Sequence, residues 1–298
     1  MKNPWQIGYK TSNPFIHHTH QMNTLPPELV DSIYSHLNPH DLASLSLVCH
    51  AWSAVTLPRH YCNPRITTLD HLDHFSKCTS FVHFVSVLDF SAVSRHVSDK
   101  HLERLAPLSL SKINLSDCDK VSAYAMNEVI RHSTNTLQSA LLVNCKLDLK
   151  TLDLLRQASR VRLSKLDLSG TMVLPCYAID TPNHLERLME PVLSQLQELN
   201  LAGCNWVDSH TVANIGRGLP RLVRLSLFWC DQIEFATCLQ AVQRLAHLRH
   251  LDLQHVTAVS CRDDAFLLLD QGRLDAIEYS DRRRRTIVQR NKSIICKP

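Results

Sequence analysis

The sequence predicts an α/β chain in which a short helical unit precedes a solenoid, with parallel strands on a concave face and helices on a convex one. Three observations lead there. The pattern L-x-x-L-x-L recurs eight times at a nearly constant interval. Each recurrence is followed by a polar turn and then by apolar residues at helical steps. Ahead of the repeats, residues 24–58 hold many large apolar side chains at three- and four-residue spacing.

The helical unit comes first in the chain. Residues 24–58 read TLPPELVDSIYSHLNPHDLASLSLVCHAWSAVTLP. Pro27 near the start, Glu28 in the first turn, and Leu29, Ile33 and Leu37 at i, i+4 and i+8 predict one helix. Asn38 as N-cap, Pro39 at the first position and Asp41 beside the helix dipole start a second. Leu42, Leu45, Val48, Cys49, Trp52 and Val55 continue the apolar steps. So short a segment cannot hide that much apolar surface within itself, and the excess marks an interaction surface.

These residues resemble the F-box. Leu25-Pro26, Glu28-Leu29, Ile33, Leu37, Asp41-Leu42, Leu45, Val48-Cys49 and Trp52 stand in the family order L-P-x-E-L-x-x-x-I-x-x-x-L…D-L-x-x-L-x-x-V-C-x-x-W without a gap. The resemblance implies a unit, placed at 23–64, that docks on the Skp adaptor of a cullin–RING ubiquitin ligase. It carries over Leu25, Pro26, Leu29, Ile33, Leu45, Val48 and Trp52 as adaptor-binding or as shaping that surface. The alternative for any one of them is a place in the unit's own core.

Residues 65–84 are expected to form a connecting cap. Ile66 suits an irregular first strand, and Leu69, Leu72 and Phe75 suit a short helix, without the Gly/Ser/Pro enrichment of a flexible linker.

The repeats occupy 85–282, about eight of them. Their second anchor, written p below, falls at Leu88, Ile113, Ala140, Leu166, Leu199, Leu225, Leu251 and Ile277, at intervals of 25, 27, 26, 33, 26, 26 and 26. Residues p and p+2 point the same way on a strand, into a core. Leu102 and Leu105, Val212 and Ile215, and Leu239, Val242 and Leu245 supply the helical stripes. A strand plus a helix cannot bury its apolar face alone, so the units stack. Cys118, Cys145, Cys204 and Cys230 all stand at p+5, with Thr171 and Val256 at that place in two other repeats. They read as small buried residues. The pattern resembles the cysteine-containing class of leucine-rich repeats. The long interval adds roughly seven residues within 171–184, expected in a loop.

Charge is concentrated at one end. Residues 281–298 hold seven basic residues and one acid, so a chain of net charge +4 has a body of −2. A nearly neutral body predicts no nucleic-acid partner. Residues 283–298 read as a basic tail, either a nuclear-import signal or a solvated end. The N-terminal 1–22 read as a polar tail without the apolar stretch of a secretory signal, and no run of about 18 apolar residues predicts a membrane span. Eleven cysteines, an odd number without a C-x-x-C pair, point to reduced thiols in a cytoplasmic or nuclear protein.

Chemistry is sparse in the pattern. His71, His74 and Cys78 share helical spacing, but no fourth zinc ligand stands near. His247, His250 and His255 flank one strand. Six glycines leave little for a phosphate-cradling loop, and no catalytic motif is present. The expectation is a non-catalytic chain without cofactor or metal. The concave face should carry Asp89, Asn114, Leu141, Asp167, Asn200, Ser226, Asp252 and Glu278 at p+1. Arg224, Phe228, Trp229, His250, Gln254 and His255 form a candidate substrate patch, since aromatic and Arg side chains dominate interface hot spots. The alternative is that Phe228 or Trp229 packs at the strand end beneath a neighbouring turn.

Taken with the resemblance, the sequence implies a substrate receptor of an SCF-type ubiquitin ligase, with an unidentified protein as substrate marked for proteasomal degradation. A non-degradative interaction scaffold is the alternative.

Overall fold

The computed structural model describes residues 27–77, 82–173, 195–257, 259, 262–271, 273–281, 284–289 and 294–296. Leu25, Pro26, Cys78, the segment 1–22 and residues 174–184 of the long repeat lie outside them. Two compact units divide between Leu57 and Pro58.

The first unit contains α1 (Pro27–Ser35), α2 (Pro39–Ser46) and most of α3 (His50–Tyr61). The chain turns between α1 and α2 because Asn38 is extended and its Oδ1 accepts the Asp41 N–H at 2.9 Å. Tyr34, Leu42 and Thr56 are buried. The Trp52 ring meets Tyr34 edge-on, with centroids 5.9 Å apart. The division between these compact units falls inside α3.

The second unit begins with the last turn of α3, followed by α4 (Leu69–Lys77) and a 3-10 turn at Val82–Phe84. Ile66 and Leu72 belong to the same hydrophobic cluster as the repeats. The Cys62 carbonyl accepts from both Ser86 and Val87, each at 2.9 Å, and so starts the ladder before the first strand.

The strands are β1 (Val87–Asp89), β2 (Lys112–Asn114), β3 (Ser139–Leu141), β5 (Lys165–Asp167), β7 (Glu198–Asn200), β8 (Arg224–Ser226), β9 (His250–Leu253) and β10 (Ala276–Asp281), all parallel. Two short strands, β4 (Lys146–Leu147) and β6 (Met172–Val173), pair beside them. Every anchor is paired with the next: Leu88 with Ile113, Ile113 with Ala140, and so on to Leu251 with Ile277. All eight are at most 4% exposed. The expected α/β solenoid with a mostly parallel sheet is what forms.

Helices α5 (Asp99–Leu105), α6 (Ala123–Ser133), α7 (Leu149–Val161), α8 (Ser209–Gly218), α9 (Phe235–Arg244) and α10 (Arg262–Gln271) return the chain between strands. Asp148 and Asp208 cap α7 and α8, accepting from Thr151 N at 2.7 Å and Thr211 N at 2.8 Å. Burial opposes ionisation of both carboxyls, yet these bonds, with the Asn127 amide at Asp148, hold them below the usual carboxylate range.

Between strand and helix the chain reverses at p+4. Asp117, Asn144, Gly170, Gly203, Trp229 and His255 occupy that place, and all have φ between 56° and 66°. One residue later, the thiols of Cys145, Cys204 and Cys230 donate to Leu115 O, Leu168 O and Leu201 O of the preceding repeat, at 3.0 to 3.2 Å. The p+5 cysteines thus do more than fill space. Each of these three ties its repeat to the one before, whereas the Cys118 thiol bonds Ser116 O within its own repeat.

The segment read as a basic tail behaves differently from that expectation. Residues β11 (Arg284–Gln289) and β12 (Ile294–Cys296) add to the sheet in antiparallel order after β10. Thr286 and Val288 alternate with half-buried Ile287 and Gln289, and that alternation gives β11 a buried face despite its arginines.

Candidate functional sites

On the helical unit, α1 and the end of α2 leave apolar side chains in water. Leu29 is 53% exposed and Val48 63%, with Ile33, Leu47 and Val55 also exposed. Leu45 and Trp52 are half-buried, and Trp52 packs on Tyr34. The seven positions carried over from the resemblance therefore differ in place. Leu29, Ile33 and Val48 are solvent-facing, Leu45 and Trp52 are partly in the core, and Leu25 and Pro26 lie outside the described residues. Leu47 and Val55 extend the apolar surface. Leu47 escaped the sequence reading because it falls between the helical steps at Leu45 and Val48.

On the sheet, side chains at p−1 and p+1 line a shallow cavity of about 300 Å³ across β5 to β10. The p−1 row is Lys165, Glu198, Arg224 and His250, and the p+1 row is Asp167, Asn200, Ser226, Asp252 and Glu278. Glu198 bonds Arg224 and lies 3.5 Å from Lys165. Burial works against its charge, but these two cations hold its carboxyl below the ordinary value. Asp252 differs. It accepts from Gln254 Nε2 at 3.1 Å and from Ser226 Oγ at 3.2 Å. Burial, joined by the charge of Glu278, pushes its carboxyl up.

Beyond these rows three rings meet. Trp229 stacks on His255 with centroids 5.1 Å apart and planes at 29°, and Phe228 stands edge-on to both at 5.7 and 5.3 Å. Trp229 is 59% exposed and so is not buried beneath a neighbouring turn. Arg224 and His250 are exposed in the p−1 row. Gln254 needs correction as a partner-contacting residue. It is only 7% exposed, and its amide bridges Asp252 and Glu278 at 3.1 and 3.0 Å. It turned inward because the two carboxylates need a donor.

Burial pushes the thiols of Cys118, Cys145, Cys230 and Cys238 up to about 12, which leaves them protonated and poor nucleophiles. His71 and His74 are exposed on α4 and bond Thr67 and Asp70 O. No group of three metal-ligating side chains assembles among the described residues.

A family profile described as F-box-like matches residues 22–63. F-box/LRR-repeat protein 4 of Bos taurus is 25% identical over 266 residues, covering 72% of this chain. The chain spans 39% of that relative's length. Among solved structures, the yeast Rad7–Elc1 complex aligns at a TM-score of 0.39 and 13% identity, covering 84% of this chain and 78% of that one. The leucine-rich repeat-containing protein LegL7 of Legionella pneumophila aligns at 0.30 and 14%, covering 78% and 91%. The F-box-like match at 22–63, with strand–helix repeats following it in sequence, makes the chain similar to F-box/LRR-repeat proteins.

Proposed function

We propose that this chain is the substrate-recognition subunit of an SCF-type (Skp–cullin–F-box) ubiquitin ligase. The F-box-like segment docks a Skp-type adaptor, the repeats hold a target protein, and other subunits transfer ubiquitin. The chain works by tethering, which raises the effective concentration of the target's lysines near the charged conjugating enzyme. The observation that carries this reading is the exposed apolar surface of Leu29, Ile33, Leu47 and Val48 within the segment matched as F-box-like. Apolar patches of this kind are partner surfaces.

The test is co-purification with a Skp-type adaptor, wild type beside a Leu29→Glu/Val48→Glu variant. The wild type should form a stable complex, and the variant should lose it while keeping its far-UV spectrum. Failure of well-folded wild type to bind would remove the ligase assignment.

A further inference from the structure

We infer that the sheet face from β5 to β9 takes an extended segment of the target protein with two basic residues four apart, one over Asp167 and one over Asp252, and an acidic residue just inside the second. This rests on the reading of the repeats as the target-binding part and adds the target's charge pattern.

The p+1 carboxylates carry a charge that the turn beside them does not require. At the end of each strand the p+1 side chain bends back to accept the backbone N–H at p+3. Asp89 takes Ser91 N at 2.9 Å, Asp167 takes Ser169 N at 3.0 Å, and Asp252 takes Gln254 N at 3.1 Å. Asn114 and Asn200 make the same bond, to Ser116 N and Ala202 N, each at 3.1 Å. An uncharged amide therefore suffices for the turn. The second oxygen of Asp167 accepts from Asn200 Nδ2 at 3.0 Å, and that of Asp252 from Ser226 Oγ at 3.2 Å. Amides and hydroxyls satisfy lone pairs without cancelling charge. Burial pushes the Asp252 carboxyl up, and a cation set beside it would favour the ionised form.

The p−1 row has the opposite sign. Lys165 and Arg224 share one acid, Glu198, within that row, and exposed His250 follows Arg224 on the next strand. The two rows border one cavity, two residues or about 7 Å apart along each strand. An extended chain lying between them presents successive side chains to opposite rows.

The register sets the spacing. Asp167, Asn200, Ser226 and Asp252 stand on consecutive strands. Three inter-strand steps separate the two aspartates, roughly 14 Å, and four residues of extended guest cover roughly 13 Å. Both guest residues then face the p+1 row. The guest residue just inside the one over Asp252 faces the p−1 row near Arg224, where an acid fits. Its counterpart just inside the other end faces Glu198, which Lys165 and Arg224 already serve.

The test uses arrayed peptides of varied flanking sequence, holding two lysines three, four or five residues apart, with Glu or Gly just inside one of them. They are probed with the full chain as wild type, Asp167→Asn/Asp252→Asn and Arg224→Gln. Asparagine keeps the turn bond, as Asn114 and Asn200 do, so loss of binding in that variant is not loss of fold. Wild type should retain the four-apart pair roughly tenfold better than the three- or five-apart pairs, and better with Glu than with Gly. The double variant should abolish the preference for spacing, and Arg224→Gln only the gain from Glu. Retention that ignores lysine spacing, or a spacing preference that survives in the double variant, would overturn the inference while leaving the repeats as the target-binding part. Absence of binding to every peptide by wild type that still holds the adaptor also overturns it.

Discussion

Gly216 of α8 lies against Ala241 of α9 so closely that a Cβ on the glycine would sit 2.9 Å from the Ala241 Cα. A helix normally gains about 1 kcal/mol when Ala replaces Gly. Here the obstacle is backbone, which cannot rotate away, so Gly216→Ala should instead lower stability by about 1–3 kcal/mol. Urea unfolding decides the sign. An unchanged or raised midpoint would mean the two helices can separate freely.

Trp229 makes the opposite prediction. Replacing it with Asn or Gly relieves the left-handed strain and should raise stability by about 1 kcal/mol, even as it removes an aromatic side chain. A fall in midpoint for both would show that the ring stack supports the fold.

The buried thiols set an alkaline limit. In the unfolded chain they release protons near 9.0, whereas Cys118, Cys145, Cys230 and Cys238 keep theirs to about 12 when folded. Above the unfolded value the folded state binds more protons, so stability is whole below pH 9 and is lost as pH rises toward 12. The slope is about 1.4 kcal/mol per pH unit for each thiol. Urea midpoints taken across this window should fall steeply, and Cys145→Ser/Cys230→Ser should flatten the fall. A flat wild-type profile would contradict the burial of these groups.

The helical unit separates core from contact surface. Trp52→Ala should cost about 3 kcal/mol or more by removing the partner of Tyr34. Leu29→Ala and Val48→Ala, at exposed sites, should stay within about 0.5 kcal/mol. Melting curves of the three variants test this, and comparable losses in all three would place Leu29 and Val48 in the core.

The repeat was legible because each anchor from Leu88 to Ile277 must meet its neighbour in register, even where the interval lengthens to 33. Caps such as Asn38 were legible for a similarly local reason. The left-handed column was not, since Trp229 and His255 do not announce that conformation as Gly170 and Gly203 do. The last strands were hidden because four consecutive arginines dominate the reading of 282–285 and mask the alternation at Thr286 and Val288. Gln254 was misjudged because position alone cannot tell whether an amide faces a partner or serves carboxylates beside it.

The unbroken register of the sheet has a metrical consequence. Neighbouring strands lie about 4.8 Å apart, while an extended peptide crossing them advances about 3.3 Å per residue. Two rungs of the sheet thus equal three residues of the guest, as on a vernier scale. Because side chains of an extended guest alternate between its two faces, those six apart share a face and would meet equivalent places four repeats apart, while intermediate ones would fall between rungs. On the proposed target-binding role, the face reads the spacing of a target's residues as well as their kind, and inserting one residue between two contacts should break recognition that a conservative substitution leaves intact.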